Sequence, residues 1–224
     1  MSGIHDIEVV VFDVLGTLVD EPSGLRAAIR EAIPGAGDEH LRLWQEHVER
    51  EQARIGRGDR AYAPSEVLDT EAARLVAERA GVTDPAVVAR LATAGQRLPA
   101  WPDSIAGLER LSRRFPVLAL SNASHAALLR LHAHAGLRWH QALSSEDVRA
   151  YKPAPEIYQH AIGTAGSAAD RVLMVAAHAW DLRGAQATGM RTAYVHRPAG
   201  DPPSDPDAFD LRVDGLDGLI AALS

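Results

Sequence analysis

The most constraining feature of the sequence is a short apolar run near its start, Ile7–Val14 (IEVVVFDV). The run is rich in β-branched residues, contains Asp13 near its end and leads into a turn at Gly16. A strand that is apolar on both faces is typical of the middle of a parallel sheet, because helices cover both sides of such a sheet. We therefore predict a buried first strand with Asp13 at its carboxyl end.

Similar short runs recur along the chain, with helical patterns between them. Strands are predicted at Val117–Ser121, Val172–Ala176 and Thr192–His196, with a further short strand at Leu211–Val213. Helices are predicted at Ser104–Phe115, Ser124–Ala135, Pro155–Ala165 and Trp180–Thr188. Strands that alternate with helices in this way indicate βαβ units. The predicted fold class is α/β, with a Rossmann-like, doubly wound parallel sheet as the core.

The segment from residue 21 to residue 99 interrupts this alternation. It has no convincing strand pattern and contains helical patterns at Leu25–Ala32, Glu39–Ile55, Pro64–Ala80 and Pro85–Arg97. A helical insert after the first strand of an α/β core is most simply a cap over the site. We therefore expect residues 1–20 and 100–224 to form the core and residues 21–99 to form an all-helical cap. The loop Arg197–Pro206, rich in Pro and Asp, is expected to be a surface connection.

Composition excludes several classes of protein. The 224 residues carry a net charge of −7 and no cysteine. Disulfides, thiolate metal sites and a cysteine nucleophile are therefore excluded, and a nucleic-acid partner would need a cluster of Lys and Arg that the sequence lacks. The start of the chain lacks a signal-peptide pattern, and no apolar stretch reaches the roughly 18 residues of a membrane span. We predict a cytoplasmic protein without a nucleic-acid or membrane partner.

Polar residues cluster where the predicted strands end, which is where parallel sheets bind ligands. These clusters are Asp13 with Gly16-Thr17, Ser121-Asn122, Tyr151-Lys152-Pro153, and His178 with Trp180-Asp181. A lone aspartate after a strand is more often a helix cap or turn residue. A carboxylate that is held in place next to a cation, however, can act as a nucleophile. Together the clusters indicate Asp13 as nucleophile, Lys152 as its cation, and Thr17, Ser121 and Asn122 as hydrogen-bond donors.

Four motifs in this order carry a resemblance to a known family: Phe12–Leu18 (FDVLGTL), Leu120–Asn122 (LSN), Tyr151–Pro153 (YKP) and Ala179–Asp181 (AWD). With them the sequence resembles the haloacid dehalogenase superfamily of hydrolases over essentially the whole chain. The resemblance implies a Rossmann-like core, and the helical insert lies where this superfamily carries a cap.

Most members of that superfamily are Mg²⁺-dependent phosphatases, and two positions speak against that branch. The phosphatase pattern places a second aspartate two residues after the nucleophile, where this chain has Leu15. It also places an acidic metal ligand at the end of the third core strand, where the sequence reads Val175–His178 and only the later Asp181 is acidic. Mg²⁺ prefers an oxygen shell with carboxylates, so neither a metal site nor a phosphatase is favoured.

Displacement of halide needs neither a metal nor an acid for the leaving group, and the sequence looks like the L-2-haloacid dehalogenases. That resemblance implies that Asp13 attacks C2 of a short L-2-haloalkanoate and forms an ester. Water activated near Lys152 and Asp181 then releases a D-2-hydroxy acid, without a cofactor. The matching functional positions are Thr17, Ser121, Asn122, Lys152, Tyr158 and Asp181, and the substrate-binding positions are Leu15, Trp44, Gln45 and Trp180. A homodimer is also implied.

Two segments depart from the subgroup pattern. Gln45 follows Trp44 where known members carry an arginine that helps to bind halide, and Arg42 lies two residues before Trp44. Ala176-Ala177-His178 replaces a Ser-Ser-Asn run. His178 is interpreted either as a positioning or proton-shuttling residue, since imidazole titrates near neutrality, or as a space-filling residue that satisfies a nearby carbonyl.

Two alternative functions stay open at this point, as does the role of one tyrosine. One is a Mg²⁺-dependent phosphatase of the same superfamily, and another is a catalytically silent binding protein with the same fold. Tyr158 either hydrogen-bonds in the nucleophilic centre or only packs its helix. A zinc site at His125, His132, His134 and His140 is not expected, because His132 and His134 point to different sides of a helix and no HExxH motif is present.

Overall fold

A computed structural model describes residues 6–224 of the chain. Its centre is a six-stranded, fully parallel sheet with the strand order β3-β2-β1-β4-β5-β6. The strands are β1 (Val9–Asp13), β2 (Val117–Ser121), β3 (Gln141–Ser144), β4 (Val172–Ala176), β5 (Arg191–Val195) and β6 (Leu211–Val213). The predicted Rossmann-like α/β fold is confirmed, and β1 lies in the middle of the sheet as its apolar sequence indicates.

Burial on both faces of β1 explains why its sequence does not alternate. Val10 and Phe12 pack into the core on one side of the sheet, and Val9 and Val11 pack into a second core on the other side. Full burial of a side chain as large as that of Phe12 stabilises the fold by about 1.5–3 kcal/mol relative to its exposure. The sheet is therefore held between two layers of helices, as a parallel sheet requires.

Ten α-helices connect and cover the strands in the described part of the chain. They are α1 (Glu21–Ala32), α2 (Asp38–Gly56), α3 (Ser65–Arg79), α4 (Pro85–Ala92), α5 (Ser104–Ser112), α6 (His125–Ala135), α7 (Ser145–Val148), α8 (Pro155–Ala165), α9 (Ala179–Ala187) and α10 (Leu216–Ala222). Between β1 and β2 the named elements are helices α1–α4, a 3-10 turn at Ala94–Arg97 and then α5. None of the helices described is both long and apolar enough to cross a membrane.

Local signals set the ends of the helix that leads into this segment. The Asp20 side chain accepts a hydrogen bond from the Ser23 backbone N–H at 3.2 Å, and Pro22 occupies the first turn. An aspartate cap followed by proline is a typical start of a helix. Helix α1 therefore begins at Glu21, four residues before the predicted start at Leu25, and this places Glu21 at the beginning of the helical segment.

Other differences from the predicted elements have local causes. Strand β3 was not predicted, because its four residues, QALS, include only two apolar ones. The predicted helix Pro85–Arg97 ends as an α-helix at Ala92 and continues as a 3-10 turn that contains Gly95, a residue with low helix propensity. Helix α10 was also not predicted. The amino-terminal residues 1–5 of the expected core lie outside the described residues.

The loop that begins at Arg197 runs over the surface as expected, with Pro198, Ala199 and Ser204–Pro206 exposed, but its first residue is held inside the protein. Arg197 is buried, and its Nε donates to the Thr17 carbonyl at 3.0 Å. Its Nη1 donates to Asp103 Oδ2, also at 3.0 Å. The loop is therefore anchored under the turn that follows β1, and this brings Ala199–Asp201 to the edge of the cavity described below.

Candidate active site

The carboxyl ends of β1, β2 and β4 meet at one edge of the sheet. In register, Asp13 pairs with Leu120 of β2, and Phe12 pairs with Val175 of β4. Strands β2 and β3 lie on one side of β1, and β4, β5 and β6 lie on the other, so the strand order reverses at β1. Parallel sheets bind ligands at the carboxyl ends of the strands beside such a switch point. Residues from three separate loops are thereby placed around Asp13.

Both oxygens of the Asp13 carboxylate accept hydrogen bonds. Lys152 Nζ donates to Oδ1 at 2.8 Å, and Thr17 Oγ1 donates to Oδ2 at 2.6 Å. The Thr17 hydroxyl in turn accepts a hydrogen bond from the Ala177 backbone N–H at 2.9 Å, so its own proton is directed at Asp13. Asp13 is buried but reaches the cavity. Its carboxylate is therefore fixed in position and its charge is offset by one ammonium.

Lys152 also contacts a second carboxylate. Its Nζ donates to Asp181 Oδ2 at 2.8 Å, and Tyr158 Oη donates to Asp181 Oδ1 at 2.6 Å. The Lys152 side chain is 1% exposed and that of Asp181 is fully buried. The structure thus brings together Asp13, Lys152, Asp181 and Tyr158, and it places the Tyr158 hydroxyl on Asp181 rather than on Asp13.

The charges in this group shift one another's titration. Burial opposes the charged form of Lys152, but the charges of Asp13 and Asp181 and the hydrogen bonds to both outweigh it, and the pKa of Lys152 is raised. Burial raises the pKa of Asp181, which Lys152 only partly counteracts. Burial and then the charge of Asp181 raise the pKa of the Tyr158 phenol. The ammonium and the phenol therefore keep their protons, and both act as donors.

A glycine is required at the turn after Asp13. Gly16 has φ of +80°, which L side chains rarely adopt. A Cβ atom there would lie 2.5 Å from His178 Nε2. His178 occupies that space, its Nε2 lies 3.2 Å from the Leu15 carbonyl oxygen, and it lies 4.0 Å from Asp13 Oδ2. The contact with Leu15 agrees with the interpretation of His178 as a space-filling residue that satisfies a nearby carbonyl. A proton-shuttling role for His178 stays a prediction.

Ser121 and Asn122 lie beside Asp13, but their side chains are largely engaged with other protein groups. Ser121 Oγ accepts the Ala123 backbone N–H at 3.1 Å. Asn122 Oδ1 accepts the Lys152 backbone N–H at 2.9 Å, and Asn122 Nδ2 donates to Gln52 Oε1 at 3.2 Å. Asn122 therefore positions Lys152 and links the core to helix α2, while both residues still line the cavity.

A cavity of about 450 Å³ lies between Asp13 and helices α1–α3. Its walls include all four of the predicted substrate-binding positions, Leu15, Trp44, Gln45 and Trp180. Arg42 is exposed and is not among the lining residues. The side chain that follows Trp44 in the cavity wall is therefore the neutral amide of Gln45.

Several further polar residues in the cavity wall were missed from the sequence: Glu21, Glu49, Gln52, Ser65, Asp69, Gln96 and Asp201. Gln52 lies seven residues after Gln45, so both lie on one face of α2. This spacing is a signal that sequence reasoning could have used, as is the Asp20 cap before Glu21. Nothing in the sequence around Asp69 distinguishes it from an exposed helix residue. Lys152, finally, is the only lysine in the sequence, and this alone distinguishes it from the many arginines on the predicted helix faces.

The histidine-rich stretch does not form a metal centre in the structure. His125 Nε2 lies 2.7 Å from Asp147 Oδ1, and His132 stacks on Trp139. Across residues 6–224, no group of three or more His, Asp or Glu side chains is placed to hold a metal ion.

Comparison with known proteins agrees with this architecture. A (S)-2-haloacid dehalogenase, H-109, from Pseudomonas putida is 33% identical over 201 residues, which cover 87% of this chain and 88% of that protein. The crystal structure of an L-2-haloacid dehalogenase superposes with a TM-score of 0.88 at 30% identity and covers 97% of this chain and 100% of its own.

A third relative is an L-2-haloacid dehalogenase from Xanthobacter autotrophicus with chloropropionic acid covalently bound. It superposes with a TM-score of 0.83 at 26% identity and covers 95% of this chain and 96% of its own. The family model of the haloacid dehalogenase-like hydrolases matches residues 7–189. The chain therefore belongs to the haloacid dehalogenase-like hydrolases.

Proposed function

We propose that the chain is a metal-independent, cofactor-free dehalogenase that hydrolyses short L-2-haloalkanoic acids to D-2-hydroxy acids and halide. One observation carries the proposal: the buried Asp13 carboxylate faces a cavity while Lys152 and Thr17 hold its two oxygens at 2.8 and 2.6 Å. Leu15 stands where a phosphatase would carry its leaving-group acid. The names of the relatives support the same substrate class.

The first step is a displacement at carbon. A carboxylate oxygen of Asp13 forms a bond to C2 of the substrate, and the carbon–halogen bond breaks with its electron pair, which leaves as halide. Attack from the side opposite the halogen inverts C2. The product of this step is an ester between Asp13 and the acid. The fixed position of Asp13 favours this step, because orientation of two reactants can contribute several kcal/mol to a rate.

The second step is hydrolysis of that ester. Water attacks the ester carbonyl at the Asp13 side chain, the bond from this carbonyl to the alkyl oxygen breaks, and the D-2-hydroxy acid leaves. One proton is released to solvent overall. Lys152 lies close enough to stabilise the developing oxyanion, which is the usual role of a positioned donor. Asp181 and Tyr158 hold Lys152 in place, and His178 is the group near Asp13 best placed to relay the proton of water.

The decisive experiment uses (S)-2-chloropropionate in the presence of EDTA, with release of chloride as readout. We expect chloride and D-lactate from the wild type, no release from Asp13→Asn, and an unchanged rate from Asp205→Asn, an exposed aspartate outside the cavity. A parallel reaction contains a chromogenic phosphate ester with Mg²⁺. Phosphate release with Mg²⁺ and no chloride release with EDTA would contradict the proposal. The absence of product in both reactions would favour a binding protein.

An isotope experiment tests the ester intermediate. In ¹⁸O-labelled water, with enzyme in excess over substrate, the first turnover should place the label in the Asp13 carboxylate and leave the D-lactate hydroxyl unlabelled. Mass spectrometry of the lactate and of the peptide that contains Asp13 measures both. Labelled lactate after a single turnover would instead indicate direct attack of water on C2.

The helical segment at residues 21–99 is proposed to act as a cap that closes this cavity. Three contacts support it: Tyr62 Oη lies 3.1 Å from Ser145 Oγ, Tyr151 Oη donates to the Ala63 carbonyl at 2.8 Å, and Asn122 bonds Gln52. The cytoplasmic location and the homodimer stay predictions.

A further inference from the structure

The cavity next to Asp13 is acidic on the side formed by the helical segment. Glu21 begins α1, Glu49 lies on α2 and Asp69 lies on α3, and all three line the cavity. Asp13 and Asp201 are further carboxylates in its wall. The only lysine or arginine among the lining residues described is Lys152, and its ammonium is already bonded to two carboxylates.

The side formed by the sheet has the opposite character. There Lys152 contributes its positive charge, the Ser121 hydroxyl accepts the Ala123 N–H and can still donate its own proton, and the Asn122 amide has a second N–H besides the one that bonds Gln52. A substrate carboxylate is therefore accommodated on the sheet side, whereas the helical side disfavours a second negative charge. A simple 2-haloalkanoate uses the first side only.

Three carboxyl groups on the helical side line the cavity, and of these Glu49 is exposed whereas Glu21 and Asp69 are half-buried. Within residues 6–224 neither Glu21 nor Asp69 makes a side-chain hydrogen bond, whereas the neighbouring Glu66 accepts one from Ser124 Oγ. Trp44 and Trp180 line the same cavity, and indole faces attract ammonium groups, above all quaternary ones. Carboxylates supply negative charge and indole rings supply cation–π contacts, and together they are suited to bind an organic cation.

We infer that Glu21 and Asp69 are specificity-determining residues that select 2-haloacids carrying an ammonium group distant from C2. The inference rests on the proposed dehalogenation and names its substrate class. The carboxylate of such a zwitterion lies at the sheet side, and its cation lies between α1 and α3. A cavity of about 450 Å³ lies within the range of small-molecule sites.

The titration of these groups supports the inference. Burial raises the pKa of Glu21 to about 7, to which the nearby charges of Asp13 and Glu49 add while His178 counteracts them. Burial raises the pKa of Asp69 to about 8, with contributions from Glu21 and Glu66. A bound cation favours the ionised carboxylates, so its affinity should increase as the pH rises through this range, whereas a second anionic group should bind less well.

The test compares two substrates of equal shape. (S)-2-Bromo-4-(trimethylammonio)butanoate carries the cation, and (S)-2-bromo-5,5-dimethylhexanoate replaces the ammonium nitrogen by carbon. We expect the wild type at pH 8 to prefer the first by about tenfold in bromide-release kcat/KM, since one unit of pKa change corresponds to a factor of ten in binding. The preference should be smaller at pH 6 than at pH 9.

Variants assign the effect to the two carboxyl groups. In Glu21→Gln/Asp69→Asn the two substrates should have about equal kcat/KM. Most of the pH dependence of the preference should also disappear, even though His178 is retained. Glu46→Gln, an exposed glutamate on α2 outside the cavity wall, should keep the wild-type preference. Equal kcat/KM for the two substrates in the wild type, or an unchanged preference in the double variant, overturns the inference.

Failure of the proposed function gives a different result. If the wild type releases neither bromide from these compounds nor chloride from (S)-2-chloropropionate, the proposed dehalogenation is wrong, and calorimetric binding of both compounds to Asp13→Asn then tests the specificity alone. Chloride from (S)-2-chloropropionate without bromide from either longer compound overturns the inference. Binding that is about tenfold tighter for the ammonium compound and is lost in the added double substitution supports the inference, and equal binding overturns it.

Discussion

Replacement of Lys152 by methionine removes the one cation from a buried group of charges. The side chain of Lys152 is 1% exposed and contacts Asp13 and Asp181 at 2.8 Å each. Methionine has a similar length and no charge, so the substitution leaves two carboxylates without a counter-charge. Removal of one partner from a buried ion pair costs about 3–5 kcal/mol of unfolding free energy, and we expect Lys152→Met to lose that much at pH 8.

The sign of the pH dependence follows from linkage. Burial raises the pKa of Asp181 and Lys152 opposes that shift, so without Lys152 the folded pKa of Asp181 stays above its unfolded value of about 4. The folded variant then binds more protons than the unfolded chain, so its stability falls as pH rises from about 4 up to the raised folded pKa. The loss relative to the wild type should therefore be largest at pH 8 and should shrink towards pH 5.

Urea denaturation followed by circular dichroism at pH 5 and pH 8 measures both effects. Arg57→Met is the matched control, because Arg57 contacts Asp59 at 2.9 Å but is 61% exposed. Exposed pairs contribute about 0–1 kcal/mol, so this variant should remain close to the wild type. The triple variant Lys152→Met/Asp13→Asn/Asp181→Asn should recover much of the lost stability. A loss below about 1 kcal/mol for Lys152→Met, or one that increases towards pH 5, would refute the reasoning.

Three further variants test individual contacts. Thr17→Val removes the 2.6 Å bond to Asp13 and, since a hydrogen bond to a charged group contributes about 1.5–3 kcal/mol, should slow halide release about tenfold to a hundredfold; an unchanged rate contradicts the role of the hydroxyl. Gly16→Ala combines a positive φ with a 2.5 Å clash and should lower the unfolding free energy by about 1–3 kcal/mol in urea; wild-type stability would argue against it. Tyr158→Phe removes the donor to Asp181 and should slow ester hydrolysis about tenfold. The covalent adduct should then accumulate in intact-protein mass spectra. A slower overall rate without accumulated adduct would place the effect in the first step instead.

The sheet and its central strand were predictable because their sequence signals are local. The run at Val9–Asp13 is apolar on both faces, and burial in a parallel sheet is the simplest environment for it. The strand β3 was not predictable by the same signal, since Gln141 and Ser144 are polar and the strand lies at the edge of the sheet. Edge strands need fewer apolar residues, so hydrophobicity identifies them poorly.

The residues of the site also divide into some that the sequence predicted and others that it did not. Asp13, Lys152 and Asp181 are adjacent in the structure because the ends of parallel strands meet, and that rule applies before any coordinates are known. Glu21 and Asp69 depend instead on how α1 and α3 pack over the sheet. Such packing is decided by contacts between elements that are distant in sequence, and a single acidic residue on a helix carries no sign of the direction in which it will point.

The use of a single lysine has a practical consequence. Lys152 is the only lysine in the sequence, and in the folded protein its amine is buried and hydrogen-bonded to two carboxylates. Amine-directed reagents, which need an accessible and unprotonated amine, should therefore leave Lys152 unmodified in the native state. Labelling at residue 152 would report that the core around the site has opened, so the residue that holds the proposed nucleophile also serves as a built-in chemical probe of unfolding.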